Sequence, residues 1–223
     1  METNKKLPVY KLLIIGANGG IGRQCVEVAL QAGYQVTALL RTPAKLTIQH
    51  PHLEIIKGDI LHPETYQGHL ESMDAVISAI GVNGGFFSDK PTTLYSQGNA
   101  CLLGAMNKAG VKRGFFISAS AIEISPVLPF YIRWAEKYIV QKLLRNMYDD
   151  LRRMEKLIKE SNADWTIIRP PQLSDKPITG KYRVAINGFL ENCLKISRAD
   201  VAHYIIHNIT NTLTYKGVIE IAY

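Results

Sequence analysis

A glycine-rich turn follows the first apolar run of the chain, and it constrains the fold more than any other sequence feature. Residues Leu12–Ile15 predict a short buried strand, and a helix is predicted to begin near Gly20. A strand that ends in such a turn aims backbone N–H groups and the positive end of a helix at one point, which suits a pyrophosphate. The predicted nucleotide contacts in this stretch are Gly16, Ala17, Asn18, Gly19, Gly20 and Ile21.

The glycines of this turn have separate predicted roles. Gly16 allows the tight turn itself, because glycine adopts backbone conformations that other residues avoid. Gly19 and Gly20 let a phosphate approach the backbone, and Gly22 lets the helix pack closely on the strand. The spacing is therefore Gly-x-x-Gly-x-x-Gly rather than Gly-x-Gly-x-x-Gly.

Composition limits the class of protein and the compartment. The chain has 223 residues, of which 47% are hydrophobic and 20% are charged, as in a globular domain. Its three cysteines are scattered without C-x-x-C spacing, which argues against a disulfide framework or a zinc site and fits a reducing cytosol. Neither a signal-peptide core nor an apolar run of about 18 residues is present, so we expect a cytoplasmic protein with no membrane partner.

The net charge of +7 raises the question of nucleic-acid binding. Basic residues between Lys137 and Lys159 alternate with apolar residues and a few acids, as on a solvated helix face. There is no zinc-finger spacing, no aromatic run of the RNA-binding type and no basic tail. We expect no nucleic-acid partner, since a basic balance also attracts a polyanionic dinucleotide.

Strand-like and helix-like segments alternate from end to end, which is typical of a parallel sheet covered on both faces. We predict a single α/β domain, a Rossmann-type doubly wound parallel sheet of about seven strands over residues 1–223. The predicted strands are Leu12–Ile15, Gln35–Leu40, Leu53–Lys57, Ala75–Ala79, Gly114–Ser118, Trp165–Arg169 and Val218–Ile221. The predicted helices are Ile21–Gln31, Leu94–Ala109, Tyr131–Ser161 and Ala199–Asn208. The third is too long for one helix, and Asn146–Asp150 is its predicted junction, with Asn or Asp capping the second piece.

The segment Ala121–Tyr138 carries prolines and aromatic residues directly after a predicted strand end. Ligands of open parallel sheets bind beyond the carboxyl ends of the strands, so this segment can form a substrate wall or lid. It can equally be an irregular connection that packs on its own core or on a partner subunit. We expect the substrate pocket to use residues 82–93, 121–148 and 171–190.

The end of the second strand indicates which nucleotide is bound. Arg41 follows this strand, Lys45 comes four residues later, and no acid is nearby. An acid at this position binds the ribose 2′-hydroxyl of NAD, whereas a guanidinium pairs with the 2′-phosphate of NADP. We therefore predict NADP(H) as the cofactor. Further predicted contacts follow the third and fourth strands: Asp59, Ile60, Ala79, Ile80 and Gly81.

The chain resembles the atypical short-chain dehydrogenase/reductases, and within them the NAD(P)H-binding, NmrA-like group that includes flavin reductase (biliverdin-IXβ reductase). The resemblance is carried by the residues quoted above, by Phe116–Ala121, by the stretch from Pro170 to Tyr182 and by Ser197–Ala202. It implies that the double proline lies beside the nicotinamide, with Pro170, Pro171 and Leu173 as contacts. It also implies that Ser120 lies near the nicotinamide and orients substrate, with Ser118 at the same strand end.

Two catalytic features remain open. Gln172 stands where the flavin reductase has a histidine, and glutamine can donate a hydrogen bond but cannot supply a proton near neutral pH. Tyr138 and Lys142 have the Tyr-x-x-x-Lys spacing of the classical superfamily, in which the lysine lowers the tyrosine pKa. The flavin reductase group does not rely on that pair. His203 and His207 lie one helical turn apart without a third ligand, so no metal is expected.

We predict an NADPH-dependent oxidoreductase that transfers hydride to a flavin, quinone or similar flat or carbonyl acceptor, with Ser120, Gln172, Tyr138 and Lys142 as candidate catalytic residues. The alternative is a sensor or regulatory protein that binds NADP(H) without turnover. A sugar-nucleotide epimerase is less favoured, because the carboxyl-terminal part is short. The expected partner is a small-molecule acceptor, and the chain can be a monomer or a homodimer.

Overall fold

The computed structural model describes residues 9–81 and 92–223, so residues 82–91 of the predicted pocket segment 82–93 lie outside the described residues. The strands are β1 (Lys11–Ile15), β2 (Gln35–Leu40), β3 (Leu53–Lys57), β4 (Ala75–Ser78), β5 (Arg113–Ile117), β6 (Asp164–Arg169), β7 (Gln172–Ser174), β8 (Arg183–Ile186), β9 (Lys195–Ser197) and β10 (Gly217–Ala222). The α-helices are α1 (Gly20–Gln31), α2 (Gln67–Leu70), α3 (Leu94–Ala109), α4 (Phe130–Ala135), α5 (Gln141–Leu143), α6 (Arg145–Lys159) and α7 (Arg198–His207). A π-helical stretch, Glu136–Val140, joins α4 to α5.

The main sheet has eight strands in the order β3-β2-β1-β4-β5-β6-β10-β8. The predicted α/β fold is confirmed: every predicted strand is present, ends within a residue of its predicted bounds, and pairs in parallel with the other predicted strands beside it. The eighth strand, β8, was not predicted, and it pairs antiparallel with β10 at the edge of the sheet. A separate parallel pair, β7 with β9, was also missed.

The strands are apolar on both faces because helices cover both sides of the sheet. In β1, Leu12 and Ile14 join the core cluster that contains side chains of α1 and α7. Leu13 and Ile15 point the other way, into the cluster that contains side chains of α3 and α6. Successive side chains of a strand alternate between faces, so a continuous apolar run supplies both cores at once.

The long predicted helix is divided at Leu144, which precedes α6, and not within Asn146–Asp150. The predicted capping by Asn or Asp is wrong, since no side chain caps α6 at Leu144. Asp150 has a different role. It is fully buried, accepts a hydrogen bond from Tyr95 N at 2.9 Å, and accepts another from the Ser96 hydroxyl. These donors lie in the first turn of α3, so Asp150 satisfies the start of a neighbouring helix.

The segment that follows β5 packs on the core at a few points only. Ile122 and Leu128 are buried, whereas Phe130 is 82% exposed, and Tyr131 and Trp134 are more than half exposed. Its prediction as a substrate wall or as an irregular connection stays open. Within the described ranges, no helix has the length and apolar character needed to cross a membrane.

Candidate functional site

Two glycines of the turn after β1 are required by close backbone contacts. Gly16 has φ of +79°, and a Cβ there would lie 2.3 Å from the carbonyl oxygen of Ala79 on the neighbouring strand end. A Cβ at Gly22 would lie 2.2 Å from the carbonyl oxygen of Gly16. Gly19 N donates to that same Gly16 oxygen at 2.9 Å and closes the turn. The turn therefore holds the start of α1 against the end of β1.

A cavity of about 670 Å³ lies at the carboxyl ends of the strands and opens on this turn. Its size is that of an ordinary cofactor or ligand site. Fourteen of the predicted contacts line it: Gly16, Asn18, Gly19, Gly20, Ile21, Arg41, Lys45, Asp59, Ile60, Ala79, Ile80, Gly81, Ser118 and Leu173. Because β3, β2, β1, β4 and β5 are neighbours in that order, residues distant in the chain form one continuous trough.

Three predicted contacts lie behind or beside the cavity lining. Ala17 is fully buried beneath the glycine turn. Pro170 is buried and Pro171 is partly exposed, and neither lines the cavity. The carbonyl of Pro170 accepts a hydrogen bond from Ser120 N at 3.1 Å, so the double proline is joined to the end of β5.

The cationic end of the cavity follows β2. Arg41 and Lys45 are both exposed, and Lys45 ends a short 3₁₀ turn, Pro43–Lys45. Asp59 follows the neighbouring strand β3 and is partly held in a turn of its own. Its carboxylate accepts from Leu61 N at 3.1 Å, and its backbone N donates to the Thr65 hydroxyl at 3.2 Å.

Ser118 belongs to a buried ionic network at the other end of the cavity. Its hydroxyl donates to Glu155 Oε1 at 2.7 Å. Arg169, at the end of β6, donates to both oxygens of the same carboxylate, at 2.9 and 2.7 Å, and its third nitrogen contacts Glu123 at 2.7 Å. Lys159 reaches Glu155 Oε2 at 3.2 Å from one turn further along α6. The serine hydroxyl is therefore oriented by a carboxylate.

The charges of this network depend on each other. Burial raises the pKa of the Glu155 carboxyl, but the hydrogen bonds and charge of Arg169, with smaller help from Ser118 and Lys159, outweigh burial and leave its pKa below the ordinary value. Burial alone would lower the pKa of Arg169, and the two carboxylates outweigh it and raise that pKa. Both groups are therefore ionised at neutral pH.

The other catalytic candidates do not line the cavity. Ser120 begins a single 3₁₀ turn and is partly exposed, and Gln172 is exposed at the start of β7. Tyr138 is 52% exposed in the π-helical stretch, where its ring contacts Trp134 at a centroid distance of 5.4 Å. Lys142 is exposed in α5. The structure does not bring these four side chains together, and their catalytic roles stay predictions.

Several lining residues were not among the individually predicted contacts, although Met147 lies within the predicted pocket segment 121–148. They are Ile15, Leu39, Leu40, Thr42, Gly58, Leu94, Tyr95, Ile117, Ala119, Met147, Leu151 and Arg198. Most are apolar and carried no chemical signal. Arg198 did carry a chemical signal. A cation in the first turn of a helix is opposed by the helix dipole, and a nearby anion would offset that cost.

The two histidines of α7 form a stacked pair with ring centroids 3.9 Å apart. His203 Nδ1 hydrogen-bonds the Tyr182 hydroxyl at 2.7 Å, and burial together with His207 lowers its pKa. Over the described ranges, no group of three or more His, Cys, Asp or Glu side chains is arranged to hold a metal ion.

Comparison with known proteins shows which family the chain belongs to. The model of an NAD(P)H-binding family matches residues 16–212, which is most of the chain. The chain belongs to this NAD(P)H-binding family. The predicted membership of an NAD(P)H-binding family is thereby confirmed.

The curated relatives have different names and lengths. The photosystem II assembly factor Ycf39 of Synechocystis is 28% identical over 179 residues, covering 79% of this chain and 48% of that protein. This chain thus spans about half the length of that relative. An uncharacterized sugar epimerase, YhfK of Bacillus subtilis, is 29% identical over 221 residues, covering 95% of this chain and 93% of that protein.

Solved structures share the fold of this chain. A short-chain dehydrogenase/reductase from Veillonella parvula in complex with NADP has a TM-score of 0.76 at 19% identity, covering 97% of this chain and 95% of that one. ChuY, an anaerobillin reductase from Escherichia coli O157:H7, has a TM-score of 0.70 at 20% identity, covering 94% of this chain and 96% of that one.

The residues present fit a dinucleotide. Gly16, Gly19 and Gly20 line the cavity without side chains, and α1 begins at this point. The first N–H groups of a helix have no intrahelical acceptor, so they are available to phosphate oxygens. Arg41 and Lys45 supply positive charge at the same cavity.

Proposed function

We propose that this protein is an NADPH-dependent oxidoreductase that transfers hydride to a flat, conjugated acceptor such as a flavin or quinone. One observation carries the proposal: a single cavity joins the cationic end at Arg41 and Lys45 to an apolar end at Leu173, across the glycine turn. This arrangement suits a phosphorylated dinucleotide at one end and an apolar ring system at the other.

The preference for NADPH over NADH is part of the proposal. Arg41 lines the cavity where the adenosine ribose is expected, and a guanidinium pairs with a phosphate through two parallel hydrogen bonds. A carboxylate, which would bind the 2′-hydroxyl of NADH, is absent from the end of β2. Lys45 adds a second positive charge at the same end.

The acceptor end is mostly apolar. Met147, Leu151 and Leu173 line it, together with the Tyr95 phenol and the Ser118 hydroxyl. No carboxyl group, histidine or lysine belongs to this end of the lining as far as the structure describes it. NADPH, when bound, supplies a hydride from C4 of its nicotinamide. These side chains can position a planar ring, and the proton that accompanies the hydride comes from solvent at the open side of the cavity.

A flavin or quinone fits such an end better than an isolated carbonyl compound. A conjugated ring spreads the incoming charge over several atoms, so protonation can follow hydride transfer. An isolated carbonyl needs a proton donor at its oxygen in the transition state. Ser120 and Gln172 are the proposed polar contacts for the acceptor, and their carry-over from the family resemblance is part of the same proposal.

A second candidate function is an NADP(H)-binding sensor that lacks turnover. The observation that favours it is the state of Ser118, whose hydroxyl donates to Glu155 inside a buried network. The hydroxyl is therefore not directed at an acceptor as a donor. A sensor would still need the glycine turn and Arg41.

Both functions are tested by one pair of measurements. NADPH binding is measured from the fluorescence of the reduced nicotinamide, and NADPH oxidation is followed by absorbance with flavins, quinones and aldehydes as acceptors. We expect tight binding and oxidation by flavins or quinones, with aldehydes inactive. Tight binding without oxidation by any acceptor would favour the sensor, and failure to bind NADPH would refute both.

A further inference from the structure

Arg198 lies on the glycine turn, although it is far from the turn in sequence. A Cβ added at Gly20 would lie 2.3 Å from Arg198 Cδ and 2.4 Å from its Nε, so the arginine side chain rests directly on this glycine. Arg198 also lines the cavity. Its charged group is thus held beside the backbone N–H groups that begin α1.

The packing of helices α1 and α7 fixes the position of Arg198. Arg198 is the first residue of α7, and it follows Ser197, whose hydroxyl accepts from Asp200 N at 2.9 Å and caps the helix. Helices α1 and α7 pack together in one core cluster, with Ile21 and Cys25 on one helix and Val201 on the other. The packing of these two helices in the core therefore places Arg198 against the glycine turn.

The ion pair of Arg198 is a weak one. Its Nη1 donates to Asp175 Oδ1 at 2.7 Å, and the Asp175 side chain is 87% exposed. Exposed pairs of this kind contribute little, because water and salt compete for both charges. A guanidinium has five N–H donors, and this hydrogen bond uses one nitrogen. A cation in the first turn of α7 is also opposed by the helix dipole, which favours an anion there.

We propose that Arg198 binds the diphosphate of the dinucleotide and exchanges its hydrogen bond to Asp175 for phosphate oxygens when the cofactor binds. Two helix starts then act on the same anion: α1 through its backbone N–H groups and α7 through the Arg198 side chain. A diphosphate carries more charge than one carboxylate and offers oxygens in the geometry that a guanidinium matches. Asp175 holds the side chain over Gly20 until the cofactor displaces it.

This inference rests on the dinucleotide site of the family and not on the proposed acceptor. Its test therefore measures binding in the absence of any acceptor, and a lack of turnover would leave it intact. Recognition of the diphosphate is distinguished from recognition of the 2′-phosphate with adenosine 2′-monophosphate, which has the 2′-phosphate but no diphosphate.

The experiment compares Arg198→Gln with Arg41→Gln by titration of NADPH and of adenosine 2′-monophosphate. We expect Arg198→Gln to weaken NADPH binding by roughly tenfold or more, as for loss of a charged hydrogen bond, and to leave binding of the monophosphate unchanged. Arg41→Gln should weaken both ligands. The dependence of NADPH affinity on salt should be shallower in Arg198→Gln than in the wild type.

Asp175→Asn separates this role from a merely structural one. If Arg198 serves the cofactor, removal of the competing carboxylate should leave NADPH affinity equal to or above that of the wild type. If the Arg198–Asp175 pair only ties the chain together, Asp175→Asn and Arg198→Gln should weaken NADPH binding alike, which would overturn the proposal. Unchanged NADPH affinity in Arg198→Gln, or equal losses for NADPH and the monophosphate, would overturn it as well.

Discussion

Removal of Glu155 should destabilise the fold strongly, because it leaves a buried cation without its main partner. Arg169 is 8% exposed, and Glu155, at 4%, accepts two of its hydrogen bonds. Loss of one partner of a buried ion pair costs about 3–5 kcal/mol. Arg169 keeps its contact to Glu123, which is 55% exposed, so we expect Glu155→Ala to lie near the lower limit, about 3 kcal/mol. For a domain of this size, that loss lowers the melting temperature by about 6–12 °C.

The dependence on pH gives this prediction a second readout. The folded pKa of Glu155 lies below its unfolded value, so its contribution is fully present above the unfolded pKa of about 4.3. The contribution is lost as the pH falls through the folded pKa. The difference in unfolding free energy between wild type and Glu155→Ala should therefore be constant from pH 7 to about 5 and shrink in more acidic solution.

The assay is urea denaturation followed by far-ultraviolet circular dichroism over this pH range. Lys159→Ala is the matched control, since it removes a 43% exposed partner of the same carboxylate and should cost at most about 1 kcal/mol. A loss below about 1 kcal/mol for Glu155→Ala would refute the reasoning. The reasoning would also be refuted if the difference in unfolding free energy between the wild type and Glu155→Ala stayed the same at a pH at which Glu155 is protonated.

Three further predictions concern the cavity. Arg41→Asp should shift the ratio of dissociation constants towards NADH, and an unchanged ratio would remove Arg41 from 2′-phosphate recognition. Gly22→Ala should weaken NADPH binding at least tenfold, because its Cβ would lie 2.2 Å from the Gly16 carbonyl oxygen; Gly104→Ala, with nothing within 4 Å, is the control that should bind normally. The predicted Tyr138–Lys142 pair requires Tyr138→Phe to lower turnover by about a hundredfold or more, and undiminished turnover would exclude it.

The sheet was predictable because its strands are encoded locally. Strands buried on both faces, such as Leu12–Ile15, are continuous apolar runs, and their short length and the turn residues that follow distinguish them from helices. Strand β8 escaped prediction because it lies at the sheet edge with three of its four residues exposed, and its apolar run, Val184–Ile186, is only three residues long. Its pairing with β10 is a tertiary contact that local sequence does not report.

Part of the candidate site was likewise predictable from the sequence, and part was not. Gly16 and Arg41 follow strands directly, so parallel strand order alone brings them to one edge. Met147 and Leu151 reach the cavity from α6, and their apolar side chains look like any core residue in the sequence. The capping error has the same origin: Asp150 lies in the second turn of α6, and it accepts hydrogen bonds from Tyr95 and Ser96 of α3.

In the stretch from Ser197 to Asp200, neighbouring charged residues have different roles, which their hydrogen bonds distinguish. Asp200 is fully buried and accepts hydrogen bonds from Thr179 N, Gly180 N and the Tyr223 hydroxyl at 2.8–2.9 Å. These bonds outweigh burial and hold its pKa below the ordinary value, so its charge serves the fold. Arg198, two residues earlier, makes one hydrogen bond to an exposed carboxylate and faces the cavity. Only the arginine has charge to offer a ligand, and the aspartate holds in place the helix that presents it.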